Sequence, residues 1–238
     1  SGAAFSAAQL AVPDVGLFTL DDLVAQTKRL CQATPLPVLV DADTGFGDVA
    51  RCVALLEEAG AAAVQLEDQT FPKRCGHLDG KSLVTIDEMC ENISLAAAAR
   101  RDEDLVIIAR TDARGTDSLE TAIERAERYL KAGADWIFPE ALETKEEFVQ
   151  FADQVDAPLL ANMTEFGKGP LLSLSELAEI GFAVVLYPVT MLRVAMKAME
   201  AALGVIGDEG SQKELLDLMQ TREELYDLLD YDPATFSR

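Results

Sequence analysis

The chain has 238 residues, a length that one large α/β domain can occupy. Hydrophobic residues make up 49% and charged residues 26% of it, as in a globular protein with a buried core. The formal net charge of −22 argues against nucleic acid and anionic membrane as partners, and no apolar run reaches the roughly 18 residues of a membrane span. The cysteines lack the spacing of a disulfide framework, which favours reduced thiols in the cytoplasm; they are Cys31, Cys52, Cys75 and Cys90.

Short apolar runs, each suited to a buried strand, alternate with stretches of helical spacing. The runs are PVLVDAD (37–43), AAVQLED (62–68), DLVIIARTD (104–112), ADWIFPEA (134–141), APLLANM (157–163) and FAVVLYP (182–188). Helices are predicted at 48–60, 118–134, 144–155 and 173–182, and another begins near Thr85. Three of them end in Gly60, Gly133 and Gly181, as a left-handed C-cap requires. Continuous apolar strands that alternate with helices predict a parallel sheet covered by helices.

The predicted fold is α/β, a (β/α)8 barrel of the TIM type. A single barrel domain covers residues 1–238, and residues 189–238 form its C-terminal helical segment. Six strands are visible and such a barrel has eight, so we expect the first strands to be absent from this sequence, which opens on the loop-like SGAA. A doubly wound open sheet is the alternative fold. It would ordinarily carry a glycine-rich phosphate loop, and neither a GxGxxG nor a Walker pattern is present.

Polar residues stand at the C-terminal ends of five successive predicted strands, which is the edge where a parallel barrel places its catalytic residues. Asp41 and Asp43 are two residues apart, so their side chains leave the same face of a strand. With Glu67 on the next strand they form an oxygen-only set suited to Mg²⁺ or Mn²⁺. Three arginines could supply planar forks for carboxylates: Arg110, Arg193 and Arg222, the last of which reads equally well as part of an exposed helix. Together these groups predict a pocket for a small polycarboxylate.

The segment PKRCGHLDGK (72–81) places a thiol and the only histidine among cations, within a strongly acidic chain. Neighbouring cations lower the pKa of a thiol, so Cys75 could act as a nucleophile or as a proton donor and acceptor. The alternative is a surface loop with solvated cations and an inert cysteine. The other three cysteines fall on helix-like stretches and are predicted to be packing residues.

Motifs along nearly the whole chain, in register, resemble the isocitrate lyase and phosphoenolpyruvate mutase superfamily, specifically its lyase branch. They are DADTGFG (41–47), LEDQ (66–69), KRCGH (73–77), ARTDA (109–113), FPEA (138–141), NMTEFG (162–167), LYPVTMLR (186–193) and MQTREELY (219–226). The resemblance implies a barrel whose last helices are exchanged between the subunits of a homotetramer. It also implies a Mg²⁺-dependent retro-aldol cleavage of 2-methylisocitrate to pyruvate and succinate.

The same resemblance assigns roles to individual positions. Asp41 and Asp43 would hold the metal, with Glu67 in its outer sphere. Cys75 would protonate the succinate-side carbanion, supported by Lys73, His77 and Asp14 on or near a mobile loop. The substrate contacts would be Ser1, Gly2, Ala3, Gly76, Arg110, Glu140, Asn162, Thr164, Arg193 and Arg222. Ala3 departs from the family pattern, which has glycine there.

Several alternatives stay open. Residues matching the methyl-accepting pocket of the family are Phe138, Leu186 and Pro188, which favours the methylated substrate over isocitrate. Isocitrate lyase, dimethylmalate lyase and oxaloacetate hydrolase are the alternative activities, and the last two are harder to exclude. The phosphonate enzymes are disfavoured because they lack the cysteine of KRCGH. The alternative from a different class is an inactive acidic barrel that acts in assembly.

Overall fold

Short parallel strands, each followed by a helix, form the framework of the molecule. The computed structural model describes residues 1–74 and 80–232. Its six strands lie within the six predicted runs: β1 Leu39–Asp41, β2 Ala63–Glu67, β3 Val106–Thr111, β4 Trp136–Pro139, β5 Leu160–Asn162 and β6 Val184–Leu186. The prediction of strands that alternate with helices is therefore confirmed.

The strands are parallel and follow one another in space as they do in sequence. Strands β1 to β4 form one sheet, β5 pairs with β6, and a parallel bridge between Ile137 and Leu159 connects the two groups. This order confirms the predicted α/β class with a parallel sheet. Among the described residues, no ladder of hydrogen bonds joins β6 to β1.

The sheet buries both of its faces. The larger core cluster lies between the strands and the helices and includes Leu56, Ile93 and Tyr129. On the opposite face, a smaller cluster of Ala63, Ile108, Phe138 and Leu160 is formed by alternate residues of neighbouring strands, as the two-residue period of a strand requires. The polar residues that continue this second face beyond the strand ends form the candidate site.

Most of the helices begin at a side-chain cap. Their bounds are α1 Gly2–Phe5, α2 Leu20–Ala33, α3 Val49–Glu58, α4 Ile86–Ala99, α5 Ala113–Thr116, α6 Leu119–Ala132, α7 Lys145–Gln154, α8 Leu174–Ile180, α9 Thr190–Glu209 and α10 Arg222–Leu228. Thr85 caps α4 by accepting a hydrogen bond from the Glu88 amide, as its predicted start requires. Gly60, Gly133 and Gly181 follow α3, α6 and α8 in the left-handed conformation, which confirms the three predicted glycine helix ends.

The chain divides into two compact units, Ser1–Thr190 and Met191–Arg238. The first contains all six strands. The second contains most of α9, a 3₁₀ helix at Lys213–Leu218, and α10. Of the described helices, none combines the length and the apolar character that a bilayer crossing needs.

Candidate active site

One face of the sheet carries most of the predicted site residues, because alternate residues of a strand share a face. In the parallel register, Glu67 of β2 lies opposite Arg110 of β3, and Arg110 lies opposite Phe138 of β4. Asp41 lies one pair earlier, opposite Gln65. Carboxylate, guanidinium and aromatic side chains are therefore brought together across neighbouring strands.

Four carboxylates gather around a single buried ammonium, and we call this group the Asp43 cluster: Asp14, Asp41, Asp43, Glu67 and Lys73. Lys73 Nζ lies 2.6 Å from Asp14 Oδ1 and 2.6 Å from Asp43 Oδ1. The Lys73 side chain is only 4% exposed, so these contacts are shielded from water. The cluster joins three of the predicted metal-site residues to two of those predicted to support the thiol.

The carboxylates of this cluster ionise unequally. Burial opposes ionisation of Asp41, yet the nearby cations of Lys73 and Arg110 hold its pKa below the ordinary value. Burial and the charge of Asp41 raise the pKa of Asp43 to about 7, despite the contact with Lys73. Burial also raises the pKa of Glu67 well above its usual range, although Arg110 opposes the shift. Asp43 and Glu67 thus have less positive charge around them than two ionised carboxylates need.

The first residues of the chain lie against this cluster. The Gly2 amide donates to Asp41 Oδ2 over 2.9 Å, and Ser1 Oγ caps α1 by accepting from the Ala4 amide. A Cβ at position 2 would lie 3.2 Å from Asp41 Oδ2 and 3.3 Å from Asp43 Oδ1. The backbone can approach the carboxylates this closely because position 2 is glycine. Ala3 is half-buried beside it in α1.

The Asp43 cluster has the chemistry of a divalent-cation site. Asp43 Oδ2 and Glu67 Oε1 are buried and have no hydrogen-bond partner among the residues that the structure describes, which is costly for carboxylate oxygens. Such oxygens are the ligands that Mg²⁺ and Mn²⁺ prefer. Within residues 1–74 and 80–232, no three His, Cys, Asp or Glu side chains are already spaced as a ligand set. Asp41, Asp43 and Glu67 therefore fit a cation by charge, and Asp43 and Glu67 also fit it by their unpartnered oxygens.

Arg110 lies between this cluster and the next strand, held by three carboxylates. Its Nε and Nη2 donate to the two oxygens of Asp112 over 2.9 and 3.1 Å. Its Nη1 lies 3.2 Å from Glu140 Oε2, and its Nε lies 3.5 Å from Glu67 Oε2. The guanidinium also stacks over the Phe138 ring, 5.2 Å from its centre. Burial opposes its charge, but Asp112, Glu140 and Glu67 raise the pKa of Arg110 above the usual value.

Glu140, Asn162 and Thr164 line one small pocket beyond Arg110. Asn162 Nδ2 donates to Glu140 Oε2 over 3.2 Å, and Asn162 Oδ1 is buried with no hydrogen-bond partner. Phe138 and Leu186, two of the predicted pocket residues, belong to the inner apolar cluster, whereas Pro188 is half-buried just after β6.

For five predicted site residues, the structure gives no position relative to this face. Cys75, Gly76 and His77 lie outside the described residues. Arg193 of α9 and Arg222 of α10 belong to the C-terminal unit, where both are exposed. The roles of these five residues stay predictions.

Polar residues that the sequence analysis did not select complete the site. Gln65 Nε2 donates to Asp41 Oδ1 over 3.2 Å, and Lys81 Nζ lies 2.6 Å from Asp112 Oδ1. Gln65 and Asp112 each stand two residues from a selected residue, Glu67 and Arg110, so the strand period could have identified them. Lys81 has no such signal, because its partner is 31 positions away.

Asp68 forms a second polar group on the other face of the strands, which we call the Asp68 network: Asp68, Thr111, Arg125 and Tyr129. Asp68 Oδ2 accepts from Thr111 Oγ1 and Tyr129 OH, each over 2.8 Å, and from Arg125 Nη1 over 3.1 Å. Its Oδ1 accepts from the Asp112 amide over 2.9 Å. Burial raises the pKa of Asp68, and the charge of Asp112 adds to the shift. This network ties α6 to the ends of β2 and β3.

Known proteins are similar to this chain over nearly its whole length. The family model of phosphoenolpyruvate phosphomutase matches residues 1–206. A 2-methylisocitrate lyase of Aeropyrum pernix is 52% identical over 234 residues, which are 97% of this chain and 75% of that protein. A crystal structure of 2,3-dimethylmalate lyase, a member of the PEP mutase/isocitrate lyase superfamily, superposes with a TM-score of 0.90 at 36% identity, covering 96% of this chain and 78% of the other.

A second solved structure, phosphonopyruvate hydrolase in complex with oxalate and Mg²⁺, has a TM-score of 0.84 at 29% identity, covering 96% of this chain and 81% of the other. These matches extend over both the strands and the polar face described above. The parallel strand order, the polar face formed by alternate residues of the strands and the family match all point to the same superfamily. This chain belongs to the phosphoenolpyruvate mutase/isocitrate lyase superfamily, with its (β/α)-barrel type of fold.

Proposed function

We propose that this chain is a Mg²⁺-dependent carbon–carbon lyase that cleaves 2-methylisocitrate to pyruvate and succinate. The observation that carries the proposal is the buried polar face, on which unpartnered carboxylate oxygens of Asp43 and Glu67 adjoin the guanidinium of Arg110. Relatives named 2-methylisocitrate lyase, 44 to 54% identical over nearly the whole chain, support the choice of substrate.

The proposed Mg²⁺ ion and Arg110 would bind different parts of the substrate. Asp41 and Asp43 would hold Mg²⁺, with Glu67 in its outer sphere, and the ion would supply positive charge for substrate oxygens. Arg110 would bind a substrate carboxylate. The remaining substrate contacts are proposed to be Ser1, Gly2, Ala3, Gly76, Glu140, Asn162, Thr164, Arg193 and Arg222.

The proposed cleavage is a retro-aldol step. A base removes the proton of the substrate hydroxyl, the C–C bond breaks as the C=O of pyruvate forms, and the bonding electron pair passes to the succinate fragment. The extra charge spreads into the adjacent carboxylate, where Arg110 can stabilise it. The Cys75 thiol then gives its proton to that carbon. Lys73, His77 and Asp14 are proposed to support the thiol.

The apolar wall of the site favours a methylated substrate. Phe138 is buried, and Leu186 packs against the same inner cluster, so a methyl group placed there would leave water. Pro188 is proposed to complete this pocket. Cleavage of 2,3-dimethylmalate is the second candidate activity, because the solved lyase for that substrate has a TM-score of 0.90 with this chain. Isocitrate lyase and oxaloacetate hydrolase activities are further alternatives.

The proposal extends to assembly and location. Exposed apolar side chains along α9 are typical of a surface that another subunit covers; they are Met191, Val194, Met199, Leu203 and Ile206. We propose a cytoplasmic homotetramer in which C-terminal helices are exchanged between subunits. Analytical ultracentrifugation tests this assembly, and a monomer at micromolar concentration would contradict it.

The deciding experiment follows two products separately. The protein is incubated with Mg²⁺ and either 2-methylisocitrate or isocitrate, and pyruvate and glyoxylate are measured. We expect pyruvate from the methylated substrate, its loss on chelation, and its loss in Cys75→Ser with binding of Mg²⁺ and succinate retained. Preferential release of glyoxylate would contradict the substrate assignment. An inactive barrel would release neither product, and Mg²⁺ with succinate would not raise its melting temperature.

A further inference from the structure

Lys81 and Asp112 form a buried ion pair directly behind Arg110. Lys81 Nζ lies 2.6 Å from Asp112 Oδ1, and the two side chains are 1% and 0% exposed. The same Asp112 carboxylate accepts both hydrogen bonds from the Nε and Nη2 atoms of Arg110. Asp112 therefore bridges two cations, neither of which is solvated in the way a surface side chain would be.

These contacts limit how Arg110 can meet a ligand. A guanidinium has five N–H groups in a fixed plane. Asp112 takes the one on Nε and one on Nη2, and Glu140 Oε2 faces Nη1. Within the described residues, no hydrogen bond takes the second N–H of Nη2, which shares the outer edge of the plane with an N–H of Nη1. That edge has the geometry for a bidentate hydrogen bond to a carboxylate.

Lys81 also matters for the charge of this edge. Asp112 alone would offset most of the positive charge of Arg110, and Glu140 and Glu67 lie close by as well. The ammonium of Lys81 shares the Asp112 charge, which leaves Arg110 available to a negatively charged ligand. Both the orientation and the effective charge of Arg110 thus depend on the pair behind it.

We propose that Lys81 and Asp112 are positioning residues, through which Lys81 sets the orientation and charge of Arg110 toward a substrate carboxylate. The inference rests on the proposed function, because it assigns the Nη1–Nη2 edge of Arg110 to a carboxylate of the substrate or of succinate.

A double-mutant cycle tests this coupling. The dissociation constant of succinate in the presence of Mg²⁺ is measured by calorimetry for the parent protein, Lys81→Met, Asp112→Asn and the double variant. We expect Lys81→Met to weaken succinate binding about tenfold in the parent and less than about twofold when Asp112 is already asparagine. Equal weakening in both backgrounds would mean that Lys81 acts on the ligand directly, and would overturn the proposal.

A second variant displaces Lys81 without removing its charge. A Cβ on Gly115 would lie 3.1 Å from Lys81 Nζ, so Gly115→Ala should move the ammonium by a few tenths of an ångström. We expect succinate binding to weaken about twofold to threefold in the parent and not in the Asp112→Asn background. If Lys81→Met does not unfold cooperatively, Gly115→Ala replaces it as the test. If Gly115→Ala alone binds succinate as tightly as the parent protein does, the proposal is overturned.

The matched control removes a lysine from an exposed ion pair. Lys145 Nζ lies 2.9 Å from Glu176 Oε1, with both side chains substantially exposed. Lys145→Met changes the net charge as Lys81→Met does and should leave succinate binding unchanged. Equal weakening in this control would assign the effect to net charge and overturn the proposal.

A ligand-free measurement separates this inference from the proposed function. If the parent protein binds no succinate, the proposed function is contradicted. The Nε–H signal of Arg110 in NMR spectra of the free protein, assigned with Arg110→Lys, then reports its hydrogen bond to Asp112 directly. A shift of this signal in Lys81→Met supports the positioning role, and an unshifted signal contradicts it.

Discussion

Glu67 and Asp68 are neighbours in sequence and both are buried, yet their surroundings differ. Asp68 faces α6 and accepts hydrogen bonds from two hydroxyl groups, a guanidinium and a backbone amide. Glu67 belongs to the Asp43 cluster, where its Oε1 has no hydrogen-bond partner within the described part of the chain and Arg110 Nε lies 3.5 Å from its Oε2. The two faces of one strand thus carry a satisfied carboxylate and an incompletely satisfied one.

The difference shows how stability and chemistry are divided between the two sides of the strands. Burial raises the pKa of both residues, so burial alone does not distinguish them. The number of hydrogen-bond donors distinguishes them. The Asp68 network supplies enough donors to hold a carboxylate in place, whereas the Asp43 cluster leaves carboxylate oxygens available to an added cation. Substitutions in the two groups should therefore affect different measurements.

The largest effect is expected from Asp43→Asn. Asparagine tolerates the positive φ of this residue, 48°, so the backbone should be preserved. Loss of a proposed metal ligand should lower the rate of pyruvate release about a thousandfold, while the free energy of unfolding changes by less than about 1 kcal/mol. Enzyme assay and urea unfolding of the same preparation check both values. A large loss of stability would mean that the cluster is structural.

Asp68→Asn should show the opposite pattern. The amide group would face donors that need an acceptor, so the free energy of unfolding should fall by about 3 kcal/mol. Asp87→Asn is the control, because Asp87 pairs with Arg128 at an exposed site; it should cost less than about 0.5 kcal/mol. Urea unfolding measures both variants. Equal losses of unfolding free energy in the two variants would show that the Asp68 network stabilises the fold no more than an exposed ion pair does.

Tyr129→Phe is expected to have the smallest effect. It removes the hydrogen bond that Tyr129 donates to Asp68 and the one that it accepts from Arg125, and it keeps the ring in the core, so the free energy of unfolding should fall by about 2 kcal/mol. Thermal unfolding and product release are measured together, and the rate should remain near that of the parent protein. A loss of activity without a loss of stability would show that the network acts on the site rather than on the fold.

Much of the sheet and part of the site could be predicted from local patterns. Apolar runs located all six strands, and the two-residue period placed Asp41 and Asp43 on one face. Glu67 is expected on the strand next to Asp41 and Asp43, and the parallel pairing of β1 with β2 bears this out. Such inferences need only short-range geometry and the alignment of strand ends.

Contacts between distant residues could not be predicted in this way. Asp68 meets Tyr129 across 61 positions, and Lys81 meets Asp112 across 31. In the sequence, Asp68 looks like any other carboxylate at a strand end. Which carboxylates are satisfied depends on which helix covers them, and that is decided by packing of the whole sheet.

The opposite environments of Glu67 and Asp68 also restrict how this protein can change in evolution. A substitution affects one face of β2, but an inserted or deleted residue within the strand would turn Glu67 toward α6 and Asp68 toward the Asp43 cluster. A longer side chain would then have to fit the tight network, and a shorter one would have to reach the cluster. Homologues should therefore vary freely in the lengths of their surface loops while β2 keeps its length.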